Sequence, residues 1–260
     1  LPRYGPRSEY YGRVQLDSLR ALPFMPGVAH GVCDGFAGGM PLETCSRQVL
    51  RRQVDLLAKR GWKLWVGIEP EFFLLGKSAD GTWRVKDDED RLSKPSYDLK
   101  SIHRTRGFLD EMSVVLTDLG FELQQIDHED ANGQYEINYR FDDALNAADR
   151  YMLFKIAAHA VAEKHGMVFS CMPKPLANAP GSGLHFHLSI TDENGTPVFS
   201  NADDALGLSE AGYGFAAGLL YHADALSALC APTANSYKRL AVSNSLSGTT
   251  WSPVWKAMGD

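Results

Sequence analysis

Residues 67–75 read GIEPEFFLL, and this run limits the fold more than any other stretch. Successive side chains on a strand point to opposite faces. As a strand, the run sets Glu69 and Glu71 on one face with Phe73 and Leu75, and Ile68, Phe72 and Leu74 on the other. GQYEINYRF repeats the pattern, with Gln134, Glu136, Asn138 and Arg140 opposite Tyr135, Ile137, Tyr139 and Phe141. SGLHFHLSI repeats it again, with His185, His187 and Ser189 opposite Leu184, Phe186, Leu188 and Ile190. A sheet with one wetted face gives such alternation. Ordinary wetted faces mix Lys, Thr and Glu, however, and these three polar faces hold no Lys. If the strands are neighbours, Glu69, Glu71 and Glu136 crowd like charges, and Glu129 adds a fourth across the DANG loop. Such crowding destabilises a fold unless cations neutralise it. Carboxylates with one imidazole suit Mg²⁺ or Mn²⁺. An H-x-H pair also occurs in zinc sites, which ordinarily add a third His or Cys.

The rest of the chain supplies strands and helices in a definite order. Apolar residues at helical spacing predict helices over 44–61, 99–119, 143–166 and 208–229, with Gly61 and Gly120 as stops. Residues 63–77, 167–175 and 182–190 read as strands, and 121–141 as strand, loop, strand. Pro23 and Pro26 break the segment near residue 25 into strands and turns. Residues 77–96 form a charged surface hairpin or loop, and the Asn194-Gly195 pair predicts a hairpin turn. This order predicts an α+β fold, a mostly antiparallel sheet with helices packed on one side.

Bulk properties exclude several classes. A net charge of −6 opposes nucleic-acid binding. No apolar run reaches the length of a membrane span, and the first residues lack the apolar core of a signal peptide. Cys33, Cys45, Cys171 and Cys230 form no CxxC pair and read as free thiols of a reducing cytoplasm.

The motifs together resemble the glutamine synthetase family of ATP-dependent glutamate–amine ligases, and within it the branch of γ-glutamylmethylamide synthetases. IEPEFFL is similar to the family's first metal strand, and DHEDANGQYEIN to its paired-glutamate segment. APGSGLHFHLSI resembles its Gly-rich turn and His strand, and PTANSYKRL its substrate-arginine motif. The resemblance implies a curved, open-barrel sheet with helices outside. It implies that Glu71, Glu129 and Glu136 hold one divalent ion, and Glu69 and His185 a second. Gly181 and Arg239 would bind glutamate, and His187 and Ser189 would face ATP. The implied reaction forms γ-glutamyl phosphate and then an amide, in a ring-shaped homo-oligomer with active sites shared between subunits.

Three departures qualify the match. Pro180 precedes Gly-Ser-Gly where the family has Asn. LSGTTWSPVW replaces the family's Tyr-Glu-Ala-Pro flap, so Trp251 stands about where a Glu helps bind ammonium. An indole face attracts an alkylammonium, so methylamine is the expected acceptor, with ammonia beside it. Residues 1–35 are expected to be the tail of a partial N-terminal β-grasp domain, and 36–260 a catalytic domain truncated at its C-terminus. Rival readings are a ligase for polyamines or other amines, a guanidino phosphotransferase, a zinc hydrolase and a non-catalytic structural relative.

Overall fold

The computed structural model describes residues 9–240. Strands β1 (Tyr10–Val14), β2 (Arg20–Ala21), β3 (Ala29–His30), β4 (Cys33–Ala37) and β5 (Met40–Pro41) come first. β1, β4 and β5 form a small antiparallel sheet, and β2 pairs with β3. Helix α1 (Ser46–Ala58) leads into β6 (Lys63–Lys77), the longest strand. Then follow β7 (Trp83–Val85), α2 (Leu99–Arg104), α3 (Arg106–Asp118), β8 (Leu123–His128), β9 (Gln134–Tyr139) and β10 (Asp142–Asp143). Helix α4 (Ala144–Lys164), β11 (Val168–Ser170), β12 (Leu184–Thr191), α5 (Glu210–Tyr221), α6 (Ala223–Cys230) and α7 (Ala234–Leu240) complete the described chain.

β6 organises the main sheet. Its first half pairs with β12 and β10, and its second half with β9, β11 and β7, all antiparallel. Pro70 lies where the partner changes, a place that a residue without an N–H tolerates. The sheet is open, and the fold is α+β as the element order predicts.

The main core lies on one face. Phe72, Leu74, Tyr135, Ile137 and Tyr139 meet Phe108, Met112 and Leu116 of α3 and Phe154 and Val161 of α4. Ala157, Ala158 and Ala162 are small enough for α4 to lie close on the sheet. A second cluster joins Val66 and Ile68 to Ala144, Ala147 and partly buried residues of α1.

The structure differs from the sequence reading in four places. The helix expected over 99–119 is two helices, divided at Thr105, whose hydroxyl bonds the buried Tyr135 hydroxyl at 2.6 Å. The helix expected over 208–229 is divided at His222. Phe73 and Leu75, on the polar side of β6, are buried with Ala131 against Leu176 and Ala179. The segment before β12 therefore folds over this end of the polar face. Phe186, expected on an apolar back, is 53% exposed, because β12 pairs with β6 alone among the described strands.

Candidate metal and substrate site

Register converts the three polar faces into one cluster. His185 lies directly across from Glu69, and Glu136 across from Glu71. Glu69 lies against both imidazoles of β12, its Oε2 hydrogen-bonded to His185 Nδ1 at 3.3 Å and its Oε1 3.0 Å from His187 Nε2. One ligand atom from each of Glu69, Glu136 and His185 lies within 4.8 Å of the others. Opposite ligands of one Mg²⁺ or Mn²⁺ stand about 4.2 Å apart, so small side-chain adjustments close the set around a cation. Two carboxylates and one imidazole are the donor chemistry of a hard divalent ion.

The remaining carboxylates are held beside this set. Glu71 Oε2 accepts the Gly183 N–H at 2.7 Å and Gln134 Nε2–H at 2.9 Å. Burial pushes the Glu71 carboxyl up, against the pull of the Gly183 N–H, His185 and Arg239. Glu136 is also raised by burial and by Glu69 and Glu71, while Asn138 Nδ2 donates to its Oε1 at 2.7 Å. Glu129 is pushed up to about 7 by burial first, then by the charges of Glu71, Glu136 and Asp130. Four carboxylates thus repel one another in a half-buried space, the condition that a bound cation relieves.

The loop carrying Glu129 has its own anchor. Asp90 is buried and accepts from His128 Nε2 at 2.7 Å, from Asn132 Nδ2 at 3.0 Å and from the Gly133 N–H at 2.6 Å. These donors hold Asp90 at about 2 despite its burial. Burial opposes the charged form of His128, and Asp90 more than offsets it, so His128 is raised.

The glycine turn closes the other side. Gly181 has no room for a side chain, since a Cβ there would collide with the Pro173 carbonyl and lie 2.8 Å from Arg239 Cγ. A Cβ on Gly183 would lie 2.7 Å from Glu71 Oε1. Arg239 of α7 therefore packs on the turn, partly buried, and burial lowers its pKa against the attraction of Glu71. Asn235 ties α7 to the segment before the turn, accepting the Lys174 N–H at 2.7 Å and donating to the Lys174 carbonyl at 2.9 Å.

The structure thus brings together Glu69, Glu71, Glu129, Glu136, His185, His187, Gly181 and Arg239. Ser189 shares the face of the two histidines but lies further along β12, opposite Trp65. Trp251 lies outside the described residues. Sequence reasoning missed Asn138 and Gln134 as partners of Glu136 and Glu71, although both lie on the polar face of β9. It had no signal for Asp90, one of several acids in the KDDEDR run.

A family model described as glutamine synthetase, catalytic domain, matches residues 43–259. The chain is 46% identical over 254 residues to a glutamate–methylamine ligase of Methyloversatilis universalis, covering 97% of this chain and 57% of that protein. It is 41% identical over 237 residues to a glutamine synthetase of Rhizobium leguminosarum bv. phaseoli, covering 91% of this chain and 54% of the relative. A solved structure described as a GmaS/ADP complex superposes with a TM-score of 0.88 at 39% identity, over 95% of this chain and 57% of that one. The chain spans a little over half the length of these relatives.

Proposed function

The chain belongs to the glutamine synthetase family, and from that membership we propose that the whole protein joins an amine to the γ-carboxylate of glutamate at the expense of ATP. The observation that carries this reading is the register of β6, which sets Glu69 beside His185 and Glu71 beside Glu136 under the glycine turn and Arg239. Glu71, Glu129 and Glu136 would hold one cation and Glu69 and His185 a second, with Glu136 close enough to Glu69 and His185 to border both. Mg²⁺ or Mn²⁺ bound there would supply positive charge to offset the repulsion between phosphate and carboxylate anions. Arg239 and the turn at Gly181 would bind glutamate, the guanidinium pairing with its carboxylate. His187 and Ser189 would face the nucleotide.

In this reading a γ-carboxylate oxygen attacks the terminal phosphorus of ATP, the bond to the bridging oxygen breaks, and ADP leaves. The amine nitrogen then attacks the acyl carbon. The carbon–oxygen bond breaks, phosphate leaves, and the amine nitrogen loses a proton. Methylamine is the proposed acceptor, with ammonia second. Two observations support it: the 46% identical glutamate–methylamine ligase and Trp251 in place of a flap glutamate. Residues 1–35 are proposed as part of a β-grasp domain and 36–260 as part of the catalytic domain. We also place the protein in the cytoplasm as a ring-shaped homo-oligomer. No described helix is long and apolar enough to cross a membrane.

The test is ADP release by the full-length protein with glutamate, Mg²⁺ or Mn²⁺ and a panel of amines, with the amide identified by mass. Turnover should require glutamate and amine together. Release of ADP that ignores both would overturn the ligase reading. Ammonium turnover with no use of methylammonium would overturn the choice of acceptor.

A further inference from the structure

Gln134 is the first residue of β9, and its side chain is wholly buried. A buried amide is costly unless its polar groups find partners. Those of Gln134 find them on three separate segments. Its Oε1 accepts the Ala131 N–H at 3.0 Å, within the loop that carries Glu129. Its Nε2 donates to Glu71 Oε2 at 2.9 Å and to the Gly181 carbonyl at 3.2 Å. We infer that Gln134 is a positioning residue that holds the Glu71 carboxylate and the Gly181 turn in one fixed arrangement, so that the cation site and the glutamate site share a single support. The inference rests on the ligase reading given above.

Residue type matters here. The Gly183 and Gln134 N–H groups both donate to Glu71 Oε2, and Oε1, the other carboxylate oxygen, is the one that would take a cation. A Glu at position 134 would set a like charge against Glu71 and have no proton to donate. A Met would keep the length and lose every bond. The backbone bonds of the loop, Gln134 N–H to the Ala131 carbonyl at 3.0 Å and Glu129 N–H to the Gln134 carbonyl at 2.9 Å, do not use the side chain. The loop therefore keeps its main-chain closure when the side chain is replaced.

The test uses the full-length protein with Gln134→Met, and Gln134→Asn as a milder second variant that keeps the amide but withdraws it by one methylene. Thr105→Val serves as a stability control, since it removes the buried 2.6 Å bond to Tyr135 away from the site. Glu71→Gln reports on the cation reading itself. Mn²⁺ dissociation constants come from electron paramagnetic resonance, and KM values for glutamate and ATP are measured at saturating Mn²⁺. Gln134→Met should raise the Mn²⁺ Kd about 10-fold or more, the usual cost of losing a ligand's supporting bond. Glutamate KM should rise in the same variant, while ATP KM stays within about twofold. Thr105→Val should lower the thermal midpoint and leave the Mn²⁺ Kd and the glutamate KM unchanged. Should Gln134→Met fail to fold, Gln134→Asn decides on the same readouts. A folded variant with wild-type Mn²⁺ Kd and glutamate KM overturns the inference while leaving the cation reading intact, provided Glu71→Gln loses Mn²⁺. An equal rise in ATP KM means general damage and also overturns it. Full Mn²⁺ binding by Glu71→Gln would remove the cation reading, and the inference with it.

Discussion

Glu129 carries the most perturbed carboxyl of the cluster, at about 7, because burial and the charges of Glu71 and Glu136 oppose its ionisation. Two consequences follow from the sign. A folded pKa above the unfolded value means that the metal-free fold binds more protons than the unfolded chain between about pH 4 and 7. Its stability therefore falls as pH rises through that window. A cation must also displace the proton, so apparent Mn²⁺ affinity should climb from pH 6 to 8. Titration calorimetry at pH 7 in buffers of different ionisation heat should show about half a proton released from this group. No proton release would contradict the assignment of Glu129. Glu129→Gln removes the buried charge, so the metal-free variant should melt a few degrees higher at pH 8, by about 2–4 °C per kcal/mol recovered, yet bind Mn²⁺ more weakly. Asp90 acts with the opposite sign. Its carboxyl sits at about 2, so its contribution is complete above about pH 4 and is lost as pH falls through 2. Glu69, Glu71, Glu136 and His185 were legible because each stands on the polar face of a strand whose other face is apolar, whereas Glu129 lies in the loop between β8 and β9. Asp90 was not, since only folding chooses it from the neighbouring acids to receive His128, Asn132 and Gly133.

At the level of elements, β6 shows what alternation can and cannot reveal. Its period of two places Glu69 and Glu71 correctly, yet it gives the same face to Phe73 and Leu75, which are buried. The difference comes from Leu176 and Ala179, a hundred residues away in the chain, and no local pattern records that contact. The division of 99–119 at Thr105 has a similar cause, a hydroxyl bond to Tyr135 thirty residues on. Apolar spacing runs through the break because Ile102 and Phe108 pack on the same core. The glycine turn yields an element-level prediction. Gly183→Ala would press a methyl 2.7 Å from Glu71 Oε1, so Mn²⁺ affinity should fall at least about 10-fold. Gly181→Ala would press on the Pro173 carbonyl and on Arg239, so glutamate KM should rise more than the Mn²⁺ Kd. Identical effects of the two substitutions would contradict this division of labour along the turn.

The whole molecule joins a small N-terminal sheet to the larger one through charge. Asp34 of β4 is buried and meets Arg47 and Arg51 of α1, and Arg47 also grips Asp149 of α4 through Nε at 3.0 Å and Nη2 at 3.0 Å. Burial alone would raise Asp34, and the two guanidinium groups reverse this and hold it low. Arg47→Leu would take the partner from a buried carboxylate and unfasten β4 from α4. Breaking a buried pair in this way costs about 3–5 kcal/mol, somewhat less here because Arg51 remains. The loss should be local. Amide exchange should quicken first across β1, β4 and β5, while β6 and β9, anchored by Phe72, Tyr135 and Ile137 in the main core, keep their protection. Because Asp34 is held low, the difference between wild type and variant should be full at neutral pH and shrink as pH falls below about 4. Uniform quickening across both sheets would mean that the two sheets open as one unit and that this network is no seam.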